Sequence, residues 1–182
     1  MATGQDTIST FQTGAIVVDE LKLYFISDAR NRIVHLTFDQ DGHHWARKKI
    51  ASLTSAPVFK VDKGMTHNVA QEVKRYVKGS TRQLHLQAGT LLSERATDFQ
   101  KKVWQQIGRI SYGNTRTYGD IARSLGNFRL ARAVGQACHA NPLALLVPCH
   151  RVIGAISLGG FAGGVAIKGR LLSLERRCSG AE

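Results

Sequence analysis

A cysteine, a histidine and an arginine follow one another directly at Cys149, His150 and Arg151, immediately after Pro148. A cysteine attacks as the thiolate, and a basic or cationic neighbour favours that form by lowering the pKa of the thiol. These neighbours therefore favour a nucleophile over the common alternative, a small buried apolar cysteine. The apolar run 145–147 predicts a strand that leads Cys149 into the interior and ends at Pro148, which has no N–H to donate.

Adjacent cysteine and histidine residues leave the class of reaction open. Cysteine hydrolases also use a Cys-His pair, but their base normally comes from a residue distant in the sequence. Two neighbouring side chains point in different directions, so the histidine at position 150 is poorly placed for direct proton transfer to Cys149.

The residues around Cys149 resemble the active-site region of O6-alkylguanine-DNA alkyltransferases. The resemblance covers residues 97–175 and includes the segments 99–104, 117–122, 141–142, 148–152 and 159–164, together with Glu175. It implies that an alkyl group passes from O6-alkylguanine in DNA to Cys149 in one displacement step. The thioether formed is stable, so each molecule would act once, as a methylated-DNA–protein-cysteine methyltransferase, and no metal or organic cofactor is expected.

The same resemblance assigns catalytic roles to Cys149, His150, Glu175 and Asn141. His150 would act on Cys149 through a bound water, and Glu175 would orient His150 and stabilise its charged form, as in a catalytic triad. Asn141 would brace the turn that holds the cysteine and also cap the preceding helix. In isolation, Glu175 would be interpreted as a carboxylate on a helix surface.

The DNA-binding residues implied by the resemblance lie mainly on the helix that precedes Asn141. Arg132 would take the place of the extruded base while this helix enters the minor groove, and Tyr118 would press on the 3′ phosphate. Extrusion is needed because the reacting atom is inaccessible inside a duplex. Ala131 and Gly135, four residues apart, form a strip of small residues that permits close approach. Arg151 is also assigned to the DNA-binding set, whereas Arg132 alone could be a solvated helix arginine.

The predicted substrate pocket contains Val152, Gly160, Phe161, Ala162 and Lys168. Backbone carbonyls at Cys149 and Val152 would accept the guanine amino group, Gly160 would shape the wall and Phe161 would stack on the base. The Ala162 N–H would face the substituted oxygen, and Lys168 would brace the pocket through nearby carbonyls.

Two positions depart from the family pattern. Phe161 stands where most members have tyrosine, which affects protonation of the leaving guanine. Ala144 stands where some members have a proline beside the pocket, which would open the pocket to bulkier adducts.

Charge and cysteine content are compatible with a DNA partner. The formal net charge is +12 and the pI is about 10.1, which indicates a polyanionic partner. Residues 97–182 hold 12 Lys or Arg and only 4 Asp or Glu, so most of the excess lies in the half with the motif. No segment predicts membrane binding, and three cysteines without a CxxC pair favour a reducing compartment, the cytoplasm or, in a eukaryote, the nucleus.

The pattern of elements predicts an α+β/α fold with two domains. Residues 1–90 are expected to form a small structural domain with strands at 15–18, 21–26 and 33–38 and a helix at 67–78. Residues 91–182 are expected to form a mostly helical DNA-binding and alkyl-transfer domain. Helices there are predicted from Thr97 to Gly108, over 118–125, from 128 or 129 to 140, and over 168–177, the middle two forming a helix-turn-helix.

Two other functions remain open from the sequence. A non-catalytic DNA-damage binding protein is favoured only by Phe161 and opposed by Cys149. A transcription regulator could use the helix-turn-helix, but regulatory relatives have an extra cysteine-rich zinc module. Some relatives bind zinc through the N-terminal domain, where this chain has no cysteine and only the pair His43-His44. We expect a monomer that binds double-stranded DNA.

Overall fold

The computed structural model describes residues 9–180. The first half holds a four-stranded sheet with helices, and the second half is mainly helical, as predicted. The elements of the first half are β1 (Thr10–Val18), β2 (Leu21–Asp28), β3 (Ile33–Thr37), α1 (Gln40–Leu53), β4 (Val58–Val61) and α2 (Lys63–Val77). Those of the second half are α3 (Asp98–Gly108), β5 (Arg116–Thr117), α4 (Tyr118–Ser124), α5 (Ala131–His139), β6 (Val152–Ile153) and α6 (Val165–Ser179).

The sheet has the strand order β3-β2-β1-β4. Strand β2 pairs antiparallel with both β1 and β3, whereas β4 pairs parallel with β1. Asp19 and Glu20 join β1 to β2 with φ values of 48° and 63°, the left-handed backbone that a tight hairpin turn needs. The predicted strands and their turns are therefore confirmed.

Two helices of the second half begin at the predicted capping residues, whereas α6 begins at Val165, three residues before its predicted start. Thr97 caps α3 and Thr117 caps α4, and each forms a reciprocal capping box with the residue three positions later. A 3-10 turn over Phe128–Leu130 leads directly into α5. Two short helices, α4 and α5, thus lie in contact across a tight turn.

Three parts of the sequence interpretation differ from the structure. Strand β4 was not predicted, and it joins the sheet parallel to β1. Residues 145–147 do not form a strand, because Leu145 adopts a φ of 67° and the segment turns back on itself through an Ala144–Val147 bridge. Helix α1 was not predicted, because only His43, Ala46 and Ile50 of this helix are buried, which gives almost no apolar periodicity.

The hydrophobic core joins the two halves of the chain. One cluster of buried side chains combines residues of the sheet and α2, such as Phe25 and Val73, with Leu143 and Leu171 from the second half. Across residues 9–180, no helix has both the length and the apolar character needed to cross a membrane. The active-site segment around Leu143 therefore packs directly on the N-terminal sheet.

Candidate active site

Cys149 begins a single 3-10 turn, Cys149–Arg151, and is buried. The Asn141 side-chain amide donates to the carbonyl oxygen of Val147 at 2.8 Å and to the Cys149 Sγ at 3.2 Å. The Asn141 carbonyl oxygen accepts from the Leu143 N–H at 3.0 Å. Asn141 therefore braces the turn as expected, whereas its predicted role as helix cap is wrong, since α5 ends at His139 and Ala140 is the cap.

The Cys149 thiol is not a resting thiolate. Burial raises the pKa of Cys149, and the hydrogen bond from Asn141 and the charge of Lys168 oppose the rise without cancelling it. The expectation that basic side chains next to Cys149 hold this pKa below its ordinary value is wrong. The guanidinium of Arg151 is directed to Glu175 instead, and His150 lowers the pKa only through a backbone hydrogen bond. The thiol must therefore lose its proton to a base when it reacts.

His150 is the candidate for that base. Its Nε2 lies 2.7 Å from Oε1 of Glu175, and neither side chain is exposed to solvent. The ionised carboxylate of Glu175 can only accept a hydrogen bond, so Nε2 of His150 carries the ring proton. In the neutral imidazole, Nδ1 then keeps its lone pair. Nδ1 is buried and has no partner among the described protein atoms. Burial lowers the pKa of His150 despite the opposing effect of Glu175, so the imidazole is neutral near pH 7.

Glu175 is a buried carboxylate held in the charged state. Burial alone would raise its pKa, but hydrogen bonds from His150, Arg151 and Tyr76 outweigh burial and lower the pKa of Glu175 to about 2. Because His150 is neutral, the permanent counterion is Arg151, whose Nε lies 2.9 Å from Oε2. The Gly113 N–H also donates to Oε2 at 2.9 Å.

Arg151 does not have its predicted DNA-binding position. It is only 6% exposed, and beyond Glu175 its guanidinium donates to the carbonyl oxygen of Ile110 at 2.7 Å. The assignment of Arg151 to the DNA interface is therefore wrong, and its role is to neutralise the buried carboxylate.

Tyr76 is a member of the site that the sequence interpretation missed. Its hydroxyl donates to Glu175 and lies 3.4 Å from Nε2 of His150. Burial and the Glu175 charge raise the pKa of Tyr76, so the hydroxyl stays protonated. The only signal was a tyrosine on the apolar face of α2, where a buried hydroxyl needs a partner.

A cavity of about 360 Å³ opens beside Cys149. It brings together most of the predicted DNA and substrate residues, which are Tyr118, Ala131, Arg132, Gly135, Asn141, Gly160, Phe161 and Ala162. Thr37 and Phe38 from the end of β3 also line it, and neither was predicted. Arg132 is exposed at this cavity, with its side chain accessible to a ligand.

Lys168 and Val152 lie behind the cavity wall. The Lys168 ammonium is buried and donates to the carbonyl oxygen of Val152 at 2.6 Å and to that of Gly160 at 3.1 Å. These are bracing contacts of the kind expected for Lys168. Val152 itself is fully buried and does not line the cavity, so its predicted place in the pocket wall is not observed.

The described residues contain no obvious metal centre. Within 9–180, no group of three or more His, Cys, Asp or Glu side chains is placed to hold a metal ion. His43 instead meets Thr13, 3.1 Å from its hydroxyl, in the buried interior of the N-terminal half.

Comparison with known proteins connects this site to one family. Residues 98–177 match the family model described as 6-O-methylguanine DNA methyltransferase, DNA binding domain. The methylated-DNA–protein-cysteine methyltransferase of Methanosarcina acetivorans is 53% identical over 88 residues, which are 48% of this chain and 56% of that protein. That match thus spans little more than half the length of the relative.

Longer matches include the N-terminal half. The Mycobacterium bovis methylated-DNA–protein-cysteine methyltransferase is 36% identical over 146 residues, 80% of this chain and 78% of that protein. The solved structures include a similar one, described as the crystal structure of Mycobacterium tuberculosis OGT in complex with DNA. Its protein chain is 31% identical in sequence to this one, the TM-score is 0.72, and the match covers 93% of this chain and 94% of that chain. With its site geometry and this extent of similarity, the chain belongs to the methylated-DNA–protein-cysteine methyltransferase family.

Proposed function

We propose that the protein repairs DNA by transferring an alkyl group from the O6 atom of guanine to Sγ of Cys149. The observation on which this proposal rests is the position of Cys149, buried at a cavity and backed by the His150–Glu175 pair at 2.7 Å. Family membership gives the reaction class, because the relatives' names specify a methylated DNA and an accepting cysteine.

The reaction is a single displacement. The thiol proton of Cys149 passes through one water to Nδ1 of His150, and the thiolate attacks the alkyl carbon. A sulfur–carbon bond forms while the bond from that carbon to O6 breaks. The electron pair stays on the guanine, which takes up the proton that the thiol gave to His150, so the imidazole returns to its neutral form. The Ala162 N–H faces O6, and the thioether product ends activity after one turnover.

DNA binding is assigned to the face that carries α4 and α5. We propose that these helices act as a helix-turn-helix, that α5 enters the minor groove, and that Arg132 fills the space left by the extruded base. The exposure of Arg132 beside the cavity, the small residues Ala131 and Gly135, and the excess of positive charge in residues 97–182 support this assignment. A solved relative in complex with DNA supports DNA as the partner.

The assay measures alkyl transfer directly. The protein is incubated with a duplex that contains one O6-methylguanine, and intact mass is followed together with repair of the DNA. Wild type should gain one methyl group per molecule and stop. Cys149→Ser should bind the duplex but gain nothing, because a hydroxyl is far less ionised than a thiol near neutral pH. Binding without any mass gain by the wild type would instead indicate a non-catalytic damage-binding protein.

A further inference from the structure

The edge strand of the N-terminal sheet continues onto the active-site turn. The Leu36 N–H donates to the carbonyl oxygen of Pro142 at 2.8 Å, and the Ala144 N–H donates to the carbonyl oxygen of Leu36 at 2.9 Å. These two bonds fix β3 against the segment that leads from Asn141 to Cys149. The residues that follow Leu36 on β3 are therefore held at the cavity.

Phe38 reaches the cavity from this strand. Its side chain lines the cavity together with Phe161, and the two ring centroids are 5.6 Å apart with an interplanar angle of 53°. A Cβ atom added at Gly163 would lie 2.6 Å from Cβ of Phe38, so the loop after Phe161 closes tightly over this residue. Phe38 is thus held on two sides and has little room to move.

The remaining neighbours on this side of the cavity are small. Ala144 contributes only a methyl group and Gly163 no side chain, whereas Phe38 is 8% exposed and contributes an aromatic ring. In a close-packed and braced wall, a large side chain excludes ligand atoms that would overlap with it. The ring of Phe38 therefore occupies space that an alkyl group on the base could otherwise use.

We propose that Phe38 is a specificity-determining residue that limits the size of the alkyl group accepted at O6. The inference rests on the proposed function, since it concerns the substrate of the same cavity. It also gives the N-terminal half a direct part in substrate choice.

The test compares two substrates on one protein. Single-turnover rates are measured for O6-methylguanine and O6-benzylguanine in the same duplex, and the benzyl-to-methyl ratio is the readout. Phe38→Ala should raise the ratio about tenfold, the order expected when a binding wall gains or loses a few carbon atoms. Phe38→Trp should lower it. The ratio does not depend on the folded fraction, because both substrates sample the same molecules.

Phe59→Ala is the matched control. Phe59 also pairs with an aromatic ring, Phe11, at a centroid distance of 5.6 Å, but in a separate core cluster of the N-terminal half. The benzyl-to-methyl ratio of the Phe59→Ala variant should equal that of the wild type. An unchanged or lowered ratio in Phe38→Ala, or an equal rise in Phe59→Ala, would overturn the inference while the wild-type activity stands. If the wild type transferred neither the methyl nor the benzyl group, the proposed function itself would be overturned.

Discussion

At the scale of single residues, Cys149 depends on a base for its reactivity, because burial raises the pKa of its thiol. The base is neutral because burial lowers the pKa of His150. Glu175 stays ionised beside it, since Arg151 supplies a permanent positive charge at 2.9 Å. In the proposed mechanism the three side chains behind the cysteine therefore have complementary roles: His150 takes the proton, Glu175 orients the base, and Arg151 neutralises the carboxylate.

This arrangement predicts that His150 and Glu175 act as one unit. His150→Gln and Glu175→Gln should each slow transfer by about 10²-fold, within the range typical of general bases. The double variant should be little slower than the poorer single one, because residues that act together are not additive. Single-turnover rates on folded samples, verified by circular dichroism, measure this coupling. Glu94→Gln, at an exposed position, is the control and should keep the wild-type rate. If the rate loss of the double variant equalled the product of the two single losses, His150 and Glu175 would not act as one relay.

The sequence predicts the residues of the proposed reaction but not all of their partners. Cys149, His150, Asn141 and Glu175 are recognisable because their segments match a family pattern over 97–175. Tyr76 could not be predicted in the same way, since it meets His150 across 74 positions of sequence. The direction of the Arg151 side chain also depends on where α6 places Glu175, which local pattern does not determine.

At the scale of elements, strong local signals gave correct predictions and weak ones did not. Thr97 and Thr117 each combine a capping side chain with a suitable third residue, and both start helices. The apolar run 145–147 had no such signal, and a short apolar run alone cannot distinguish a strand from a buried turn. Helix α1 has a histidine at a buried position, so its inward face does not show as apolar.

The predicted recognition helix α5 gives a test of base extrusion. If Arg132 fills the space left by the base, Arg132→Ala should sharply reduce transfer from duplex DNA and scarcely change transfer from free benzylguanine, which needs no extrusion. Arg129→Ala, one exposed arginine lost from the preceding turn, controls for charge. The loss of Arg129 should weaken DNA binding and reduce the slope of the logarithm of the binding constant against the logarithm of the salt concentration by about one. Equal rate losses on duplex and free base in Arg132→Ala would refute the extrusion role.

At the scale of the whole molecule, the N-terminal half contributes directly to the site. Tyr76 contacts the His150–Glu175 pair and Phe38 lines the cavity, while one core cluster includes residues of both halves. The division near residue 90 stays a prediction. The contacts across it could not be read from the sequence, because they join elements that are distant in the chain.

The buried histidines of the N-terminal half predict acid sensitivity. Burial lowers the pKa of both His35 and His43 to about 4, against 6.5 in the unfolded chain. The unfolded state therefore binds more protons between these values, and the free energy of unfolding should fall as pH drops from 6.5 to 4. The loss is on the order of 3 kcal/mol for His35 and smaller for His43.

Denaturant unfolding at several pH values measures this dependence. The double variant His35→Gln/His43→Gln should have a flatter slope between pH 6.5 and 4, with part of the remaining slope coming from His150, whose pKa burial also lowers. His67→Gln, at an exposed histidine on α2, should keep the wild-type slope. Glu175, with its pKa of about 2, adds a further loss only below about pH 4.5. A wild-type stability that is constant from pH 6.5 to 4 would contradict the burial of both imidazoles.

The central claim is that Cys149 accepts the alkyl group, and locating that group on the reacted protein tests it most directly. After transfer from an O6-benzylguanine duplex, the protein is digested and its cysteine peptides are sequenced by tandem mass spectrometry. The benzyl group should lie on Cys149 in every modified molecule, with Cys138 and Cys178 unmodified. A benzyl group on Cys138 or Cys178, or unchanged labelling of the Cys149→Ser variant, would contradict the claim.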